Sequence, residues 1–305
     1  MEPSPELLAR AARVLGSAVT GARPVERGTA QAGRWILSVA DGTTAFLKAG
    51  TTPESAQGLR AESLIYLNLK APFLPVLRGW DDDGAVPLLL LEDLSAALWP
   101  PPWTREPISH FIRTLAEVAA TPPPPGLPRL EAMRETLSGW KRIAADPKPF
   151  LSLGLVTPAW LDKALPTLLT VESMVLLDGN QLVHANVRSD NICFRGSRAV
   201  LVDWNRACVG SARVDLAFWA PGLLAEHGPP PEEVCPGPPE VTALVAGYFA
   251  WNAGLPADGV PPGERDNQKV QLAAALPWAA RSLGLPPPDG AAPAKAKASA
   301  DEWLF

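Results

Sequence analysis

Cysteine is scarce in this chain. Its 305 residues include three, Cys193, Cys208 and Cys235, far apart and without a CxxC pair. An odd, scattered set suggests neither a disulfide framework nor a zinc site, and it suits a reducing cytoplasm. Charge is sparse too: Asp, Glu, Lys and Arg make up 19% of the residues against 47% hydrophobic. That leaves ample apolar material for a core and does not describe a disordered chain. There is no basic stripe and the net charge is −5, so no nucleic-acid partner is expected. No apolar run reaches the ~18–20 residues of a membrane span. The opening "MEPSPELLARAARVLG" lacks a charged region followed by an apolar core. It reads as a short amphipathic helix over residues 5–16 and not as a signal peptide. No internal repeat is present. The expectation is a soluble, cytoplasmic protein of one large domain or two lobes.

What is there begins with "RWILSVADGTTAFLKAG", residues 34–50, where two β-prone runs flank Asp41–Gly42. That is a hairpin signal. Residues 53–70 predict a helix, with Leu59, Leu64, Ile65 and Leu67 at mostly helical spacing. "FLPVLRGWDDDGAVPLLLLEDL" adds two strands around a DDDG turn, the second ending at Glu92–Asp93. Residues 1–94 thus read as a small lobe, a five-stranded or similar antiparallel sheet with one packed helix. Proline-rich segments at 100–107 and 122–128 stiffen loops and stop helices. Helical patterns cover 108–120, 129–145 and 158–171. "QLVHANVRSDNICF", residues 181–194, runs from a strand into a polar elbow, and the strand "AVLVDW" follows at 199–204. Helical patterns dominate again to about residue 290. The class is α+β, with a larger, mostly helical lobe at 95–290. Residues 291–305 are low in complexity and read as a disordered tail.

Several polar residues offer what phosphoryl chemistry requires. Lys48 lies near the end of the second hairpin strand, and Glu62 follows fourteen residues later in the next helix. A helix packed behind the sheet could aim Glu62 at Lys48 and fix the ammonium against phosphate oxygens. Alone, such a pair says little, because most Lys and Glu residues are solvated surface. His184, Arg188, Asp190 and Asn191 surround Asn186, and Asp203 lies twelve residues after Asn191. Asn191 and Asp203 offer neutral and anionic oxygens to hard Mg²⁺. Arg188 could reach a moving phosphoryl group. His184 reads as a brace of the elbow, and Asp215 as a carboxylate tying the loop down through backbone N–H groups.

In this order, "HANVRSDN", "LVDW" and "VGSARVDLAFW" resemble the aminoglycoside phosphotransferase and choline kinase-like family, a branch of the protein-kinase fold. Its pattern is roughly H-G-D-x-x-x-x-N, a strand ending in D-[WF], then G-[DN]-x-x-x-D-L-A. "LLLLEDL" looks like the family's hinge strand. The resemblance covers about residues 20–290. It implies a bilobal protein-kinase-like fold and transfer of the γ-phosphoryl group of ATP (or GTP), with Mg²⁺, to a hydroxyl of a small molecule or peptide. It implies that groups around Glu92, Asp93 and Leu94 receive the adenine edge. Lys48, fixed by Glu62, would hold phosphate, and Asn191 and Asp203 the metal. Gly28 and Gly33, in "RGTAQAG", would shape the loop over the phosphates.

One position departs from the pattern. Where the resemblance implies a catalytic Asp, this chain has Asn186. An amide oxygen can accept a hydrogen bond from a hydroxyl but cannot take its proton. General-base help is worth roughly 10²–10⁴ in rate, so severely reduced activity is expected. Three readings stay open: a phosphotransferase inactivated by a deliberate Asp→Asn change, a natural pseudokinase acting as a nucleotide-, peptide- or partner-binding scaffold, or an enzyme in which Asp190 serves as base. Ala185 replaces the family's usual glycine, which is tolerable if its φ is negative. Seven acids between residues 226 and 266 face one strong base, Arg265. They could attract a cationic acceptor such as an amino sugar, or be ordinary solvated charges. A protein partner in a biosynthetic or resistance pathway fits the scaffold reading.

Overall fold

The structure is a computed structural model that describes residues 2–25 and 32–290. The elements run α1 (Pro5–Leu15), β1 (Val19–Pro24), β2 (Gly33–Val39), β3 (Thr44–Ala49), α2 (Pro53–Asn68), β4 (Leu77–Asp81), β5 (Leu88–Glu92) and α3 (Arg105–Ala120). Then come α4 (Arg134–Leu137), α5 (Gly139–Ala145), α6 (Lys148–Leu151) and α7 (Pro158–Ser173). They are followed by β6 (Gln181–Val183), β7 (Ile192–Arg195), β8 (Arg198–Leu201) and β9 (Cys208–Gly210). The last are α8 (Arg213–Ala225), α9 (Pro231–Val234), α10 (Pro239–Gly254) and α11 (Glu264–Ser282). The chain groups into two compact units, residues 1–132 with 177–216, and 133–176 with 217–305. Among the described residues no helix is long and apolar enough to cross a membrane.

The first unit is built on a five-stranded antiparallel sheet in the order β1-β2-β3-β5-β4. The hairpin turns where expected: Gly42 has φ 85°, and Asp41 Oδ1 accepts the Thr43 N–H at 2.9 Å. Strand alternation then sorts the side chains. Trp35, Leu37, Ala45, Leu47, Leu88 and Leu90 join Leu7 and Ala11 of α1 in one buried cluster. Each fully buried leucine there contributes roughly 1.5–3 kcal/mol. α1 therefore covers one face, capped by Ser4 and stopped by Gly16 at φ 69°. Its buried Arg10 reaches the β4–β5 turn, with Nε 2.7 Å from Asp81 and Nη1 2.5 Å from Asp83.

α2 takes the opposite face. Thr52 and Ser55 form a reciprocal capping box at its start, with Pro53 in the first turn. The helix lies close to the end of β3 because Gly50 has no side chain. A Cβ there would stand 2.5 Å from the Ala56 Cα.

Two small ladders, β6–β9 and β7–β8, hold the polar elbow between β6 and β7. The strand expected over 199–204 ends at Leu201. Asp203 adopts φ 64°, a left-handed conformation that β pairing does not allow.

In the second unit α10 is buried from Val241 through Gly247 and again at Phe249 and Ala250, and reads as apolar all round. The helix expected over 129–145 is broken at Ser138, where ψ is 83°. Gly139 lies against the Gly247 backbone so closely that a Cβ would overlap it. Buried Glu172 then caps the new helix, accepting the Trp140 and Lys141 N–H groups at 3.1 and 3.3 Å.

The α2 contact gives a direct test. Gly50→Ala should lower stability by about 1–3 kcal/mol through overpacking. Chemical denaturation measures it, and an unchanged midpoint would contradict this packing.

Candidate functional site

β3 turns Lys48 away from the Leu47 cluster, toward α2. Its Nζ lies 2.6 Å from Glu62 Oε2 and 2.6 Å from Asp203 Oδ1. Lys48 and Glu62 are buried, while Asp203 is partly exposed. Burial disfavours the ammonium, but Glu62 and Asp203 outweigh it and hold the Lys48 pKa above the ordinary lysine value. Burial would likewise raise Asp203, yet Lys48 keeps it below the usual carboxylate range. Two carboxylates share one cation, and the more deeply buried, Glu62, is pushed up by desolvation. Tyr66, one helical turn on, places its hydroxyl 3.5 Å from Glu62 Oε1.

The elbow is fixed by backbone. Asp215, in the first turn of α8, accepts the His184 and Ala185 N–H groups at 2.8 Å each. Burial pushes its carboxyl up to about 6, against the lowering effect of those two donors. His184 is fully buried against Trp204, ring centroids 4.4 Å apart. Its Nδ1 accepts the Asn186 N–H at 3.2 Å, which leaves Nε2–H to donate to the Val202 carbonyl at 3.0 Å. Burial pushes the imidazole down to about 4, so it is neutral. Ala185 has φ 55°, so the condition under which alanine would sit there without strain is not met. A non-glycine residue there costs about 1–2 kcal/mol, and the Asp215 bond to its N–H holds it in place.

Asn186 sits at the centre of this frame. Its Nδ2 donates to Asp203 Oδ2 at 3.1 Å, and its carbonyl accepts Asn191 Nδ2 at 2.9 Å. Asn186 thereby does what an aspartate could not: it donates to Asp203. Arg188 donates through Nε and Nη2 to both oxygens of Asp190, at 3.0 and 3.3 Å. That bidentate pairing occupies both Asp190 oxygens and gives no support to Asp190 as a substitute base.

Lys48, Glu62, Asn186, Asn191 and Asp203 are thus brought together, with Arg188 and Asp190 on the same elbow. Glu92, Asp93 and Leu94 lie elsewhere, at the exit of β5. Lys48 pairs with Leu89 and Ala45 with Glu92, three residues or ~10 Å along the strand. Glu92 forms an ion pair with Arg195 at 2.8 Å. Asp93 Oδ1 accepts from the Ser95 N–H, and the Leu94 carbonyl accepts from Ala97 N–H at 3.0 Å and Trp99 Nε1 at 3.2 Å. Gly28 lies outside the described residues, as does the 291–305 tail. Trp204 and Trp219 are core, and of the acids noted in the sequence Glu232 pairs with Arg281 and Asp266 with Lys269.

Sequence reasoning missed Arg34. It stands directly opposite Lys48 in the β2–β3 ladder, on the same face of the sheet. The hairpin register was the signal that could have found it.

Among the described residues no three His, Cys, Asp or Glu side chains form a metal cluster. The Asp203 carboxylate and the Asn191 amide oxygen are nonetheless hard oxygen donors, a chemistry that fits Mg²⁺.

The sequence profile of the phosphotransferase enzyme family matches residues 21–256. No curated protein sequence matches the chain. Among solved structures, a spectinomycin phosphotransferase in complex with ADP and spectinomycin is similar, with TM-score 0.60, 11% identity and 90% and 98% of the two chains covered. An amicoumacin kinase in complex with AMP-PNP, Ca²⁺ and its ligand follows at TM-score 0.54, 11% identity and 92% and 94% coverage. A choline kinase from Cryptosporidium parvum gives TM-score 0.54 at 8% identity, covering 86% and 89%. These likenesses show the fold: kinase-like, with a five-stranded antiparallel N-terminal sheet and a helical C-terminal part.

The elbow makes a pH prediction. The depressed His184 value means its neutral ring contributes stability that is full above about 6.5 and lost as pH falls toward about 4. The raised Asp215 value works oppositely, favouring the folded state as pH falls through about 6. The two slopes offset each other, so the ring itself is the observable. ¹⁵N NMR should show His184 as the neutral Nε2–H tautomer down to about pH 5. Titration near 6.5 would contradict the geometry.

Proposed function

The chain belongs to the phosphotransferase enzyme family, and from that premise we propose that it binds ATP with Mg²⁺ and is a phosphotransferase slowed by an amide at its base position. The observation that carries this reading is the Lys48 ammonium held between Glu62 and Asp203 at 2.6 Å. A buried lysine kept fully charged and fixed by a helix carboxylate is suited to polyphosphate oxygens. Asp203 and Asn191 are the oxygens that would hold Mg²⁺, which when bound neutralises phosphate charge. Groups around Glu92–Leu94, ~10 Å along β5 from the Lys48 rung, suit the adenine edge. ADP in the spectinomycin enzyme and AMP-PNP with Ca²⁺ in the amicoumacin kinase support a nucleotide and a divalent cation here. Small-molecule hydroxyls are the favoured acceptor class, on the same grounds as those relatives and the choline kinase.

Asn186 decides the rate. With Nδ2 committed to Asp203, its Oδ1 is the atom left to accept a hydrogen bond from an acceptor hydroxyl. It orients the nucleophile but cannot remove its proton. An aspartate there would set two carboxylates about 3 Å apart, a pair that needs a cation between them.

That same bond favours a second reading, a non-catalytic nucleotide-binding relative. Asn186 is well accommodated as a donor to Asp203, as a settled amide would be.

Two measurements separate the readings. Millimolar ATP with Mg²⁺ should raise the melting temperature, since a ligand at 100 times its Kd adds about 2.7 kcal/mol. No shift would contradict both. Asn186→Asp should raise phosphoryl transfer by roughly 10²–10⁴ across a panel of small-molecule hydroxyl acceptors. A variant that binds ATP and transfers to none of them would leave the non-catalytic reading.

A further inference from the structure

Arg34 has no part in the site as derived from the motifs, yet the sheet puts it there. Antiparallel pairing sets it directly opposite Lys48, and directly opposed residues share a face. The face in question is the one where Lys48 meets Glu62 and Asp203. Arg34 is half-buried, and the carboxylates that act on it are Asp203, Asp190 and Glu62. Those three acids are matched by three cations, Lys48, Arg188 and Arg34. Without Arg34 the site would carry a net negative charge and repel a polyphosphate; with it, and with an uncharged residue at 186, that barrier is gone. A guanidinium also offers a planar fork of donors, which suits phosphate oxygens better than an ammonium does.

We propose that Arg34 is a second phosphate-binding cation, engaging the polyphosphate of the nucleotide from β2 beside Lys48. The inference rests on the nucleotide-binding reading above. It differs from a purely structural role, in which Arg34 only neutralises Asp190 and Asp203.

Calorimetric titration of wild type, Arg34→Gln and Arg34→Lys with ATP, ADP and adenosine at constant Mg²⁺ tests it. Arg34→Gln should weaken ATP and ADP by about tenfold or more and leave adenosine unchanged, the loss of a charge-assisted contact. Its ATP affinity should also depend less on salt. Arg34→Lys should give an intermediate loss in the same ligand order, and serves alone if the Gln variant does not fold. Wild-type affinity for ATP in either variant overturns the proposal, as does an equal loss for adenosine and ATP. A wild-type protein that binds neither ATP nor ADP overturns the nucleotide reading, and this one with it.

Discussion

The Lys48 ammonium lies 2.6 Å from each of two carboxylates, and those contacts tie together β3, α2 and the turn after β8. The partners are 14 and 155 residues away in sequence. Because Lys48 and Glu62 are buried, neither can be lost without stranding the other. Breaking such a pair by removing one partner costs about 3–5 kcal/mol. The surrounding architecture serves that point. The capping box and Gly50 set α2 close enough for Glu62 to reach, and Asp203 leaves β geometry at φ 64°. Two carboxylates on one cation form an arrangement poised for further positive charge.

Asn186 fits the same electrostatics. Its amide donates to the second oxygen of Asp203, so Asp203 is held from both sides, by Lys48 and by Asn186. An amide at this position takes no proton and avoids carboxylate repulsion with Asp203. The loop that carries it does not depend on that charge. His184, neutral and buried, and Asp215, bonded to two consecutive N–H groups, hold the elbow through backbone N–H groups and not through the Asn186 side chain.

Much of this was legible in the sequence, for physical reasons. The β2–β3 hairpin followed from Asp41–Gly42, and the buried β5 from an unbroken apolar run. A meeting of Lys48 and Glu62 beside the elbow is an expectation of the ordered motifs and the family they resemble; the spacing of that pair alone says little. What stayed hidden depends on contacts distant in sequence. The break at Ser138 is set by the approach of Gly247, more than a hundred residues away. The positive φ of Ala185 is held by Asp215, and no local pattern announces it. Arg34 was invisible because a lone arginine in a strand reads as solvated surface until the register places it opposite Lys48.

The most direct test is a crystal structure of the protein with a non-hydrolysable ATP analogue and Mg²⁺. Phosphate oxygens should lie within hydrogen-bonding distance of Lys48 Nζ, with the Lys48–Glu62 contact kept and the cation bound by Asp203 and Asn191. An analogue bound elsewhere, or Lys48 still enclosed by its two carboxylates with no phosphate contact, would contradict it.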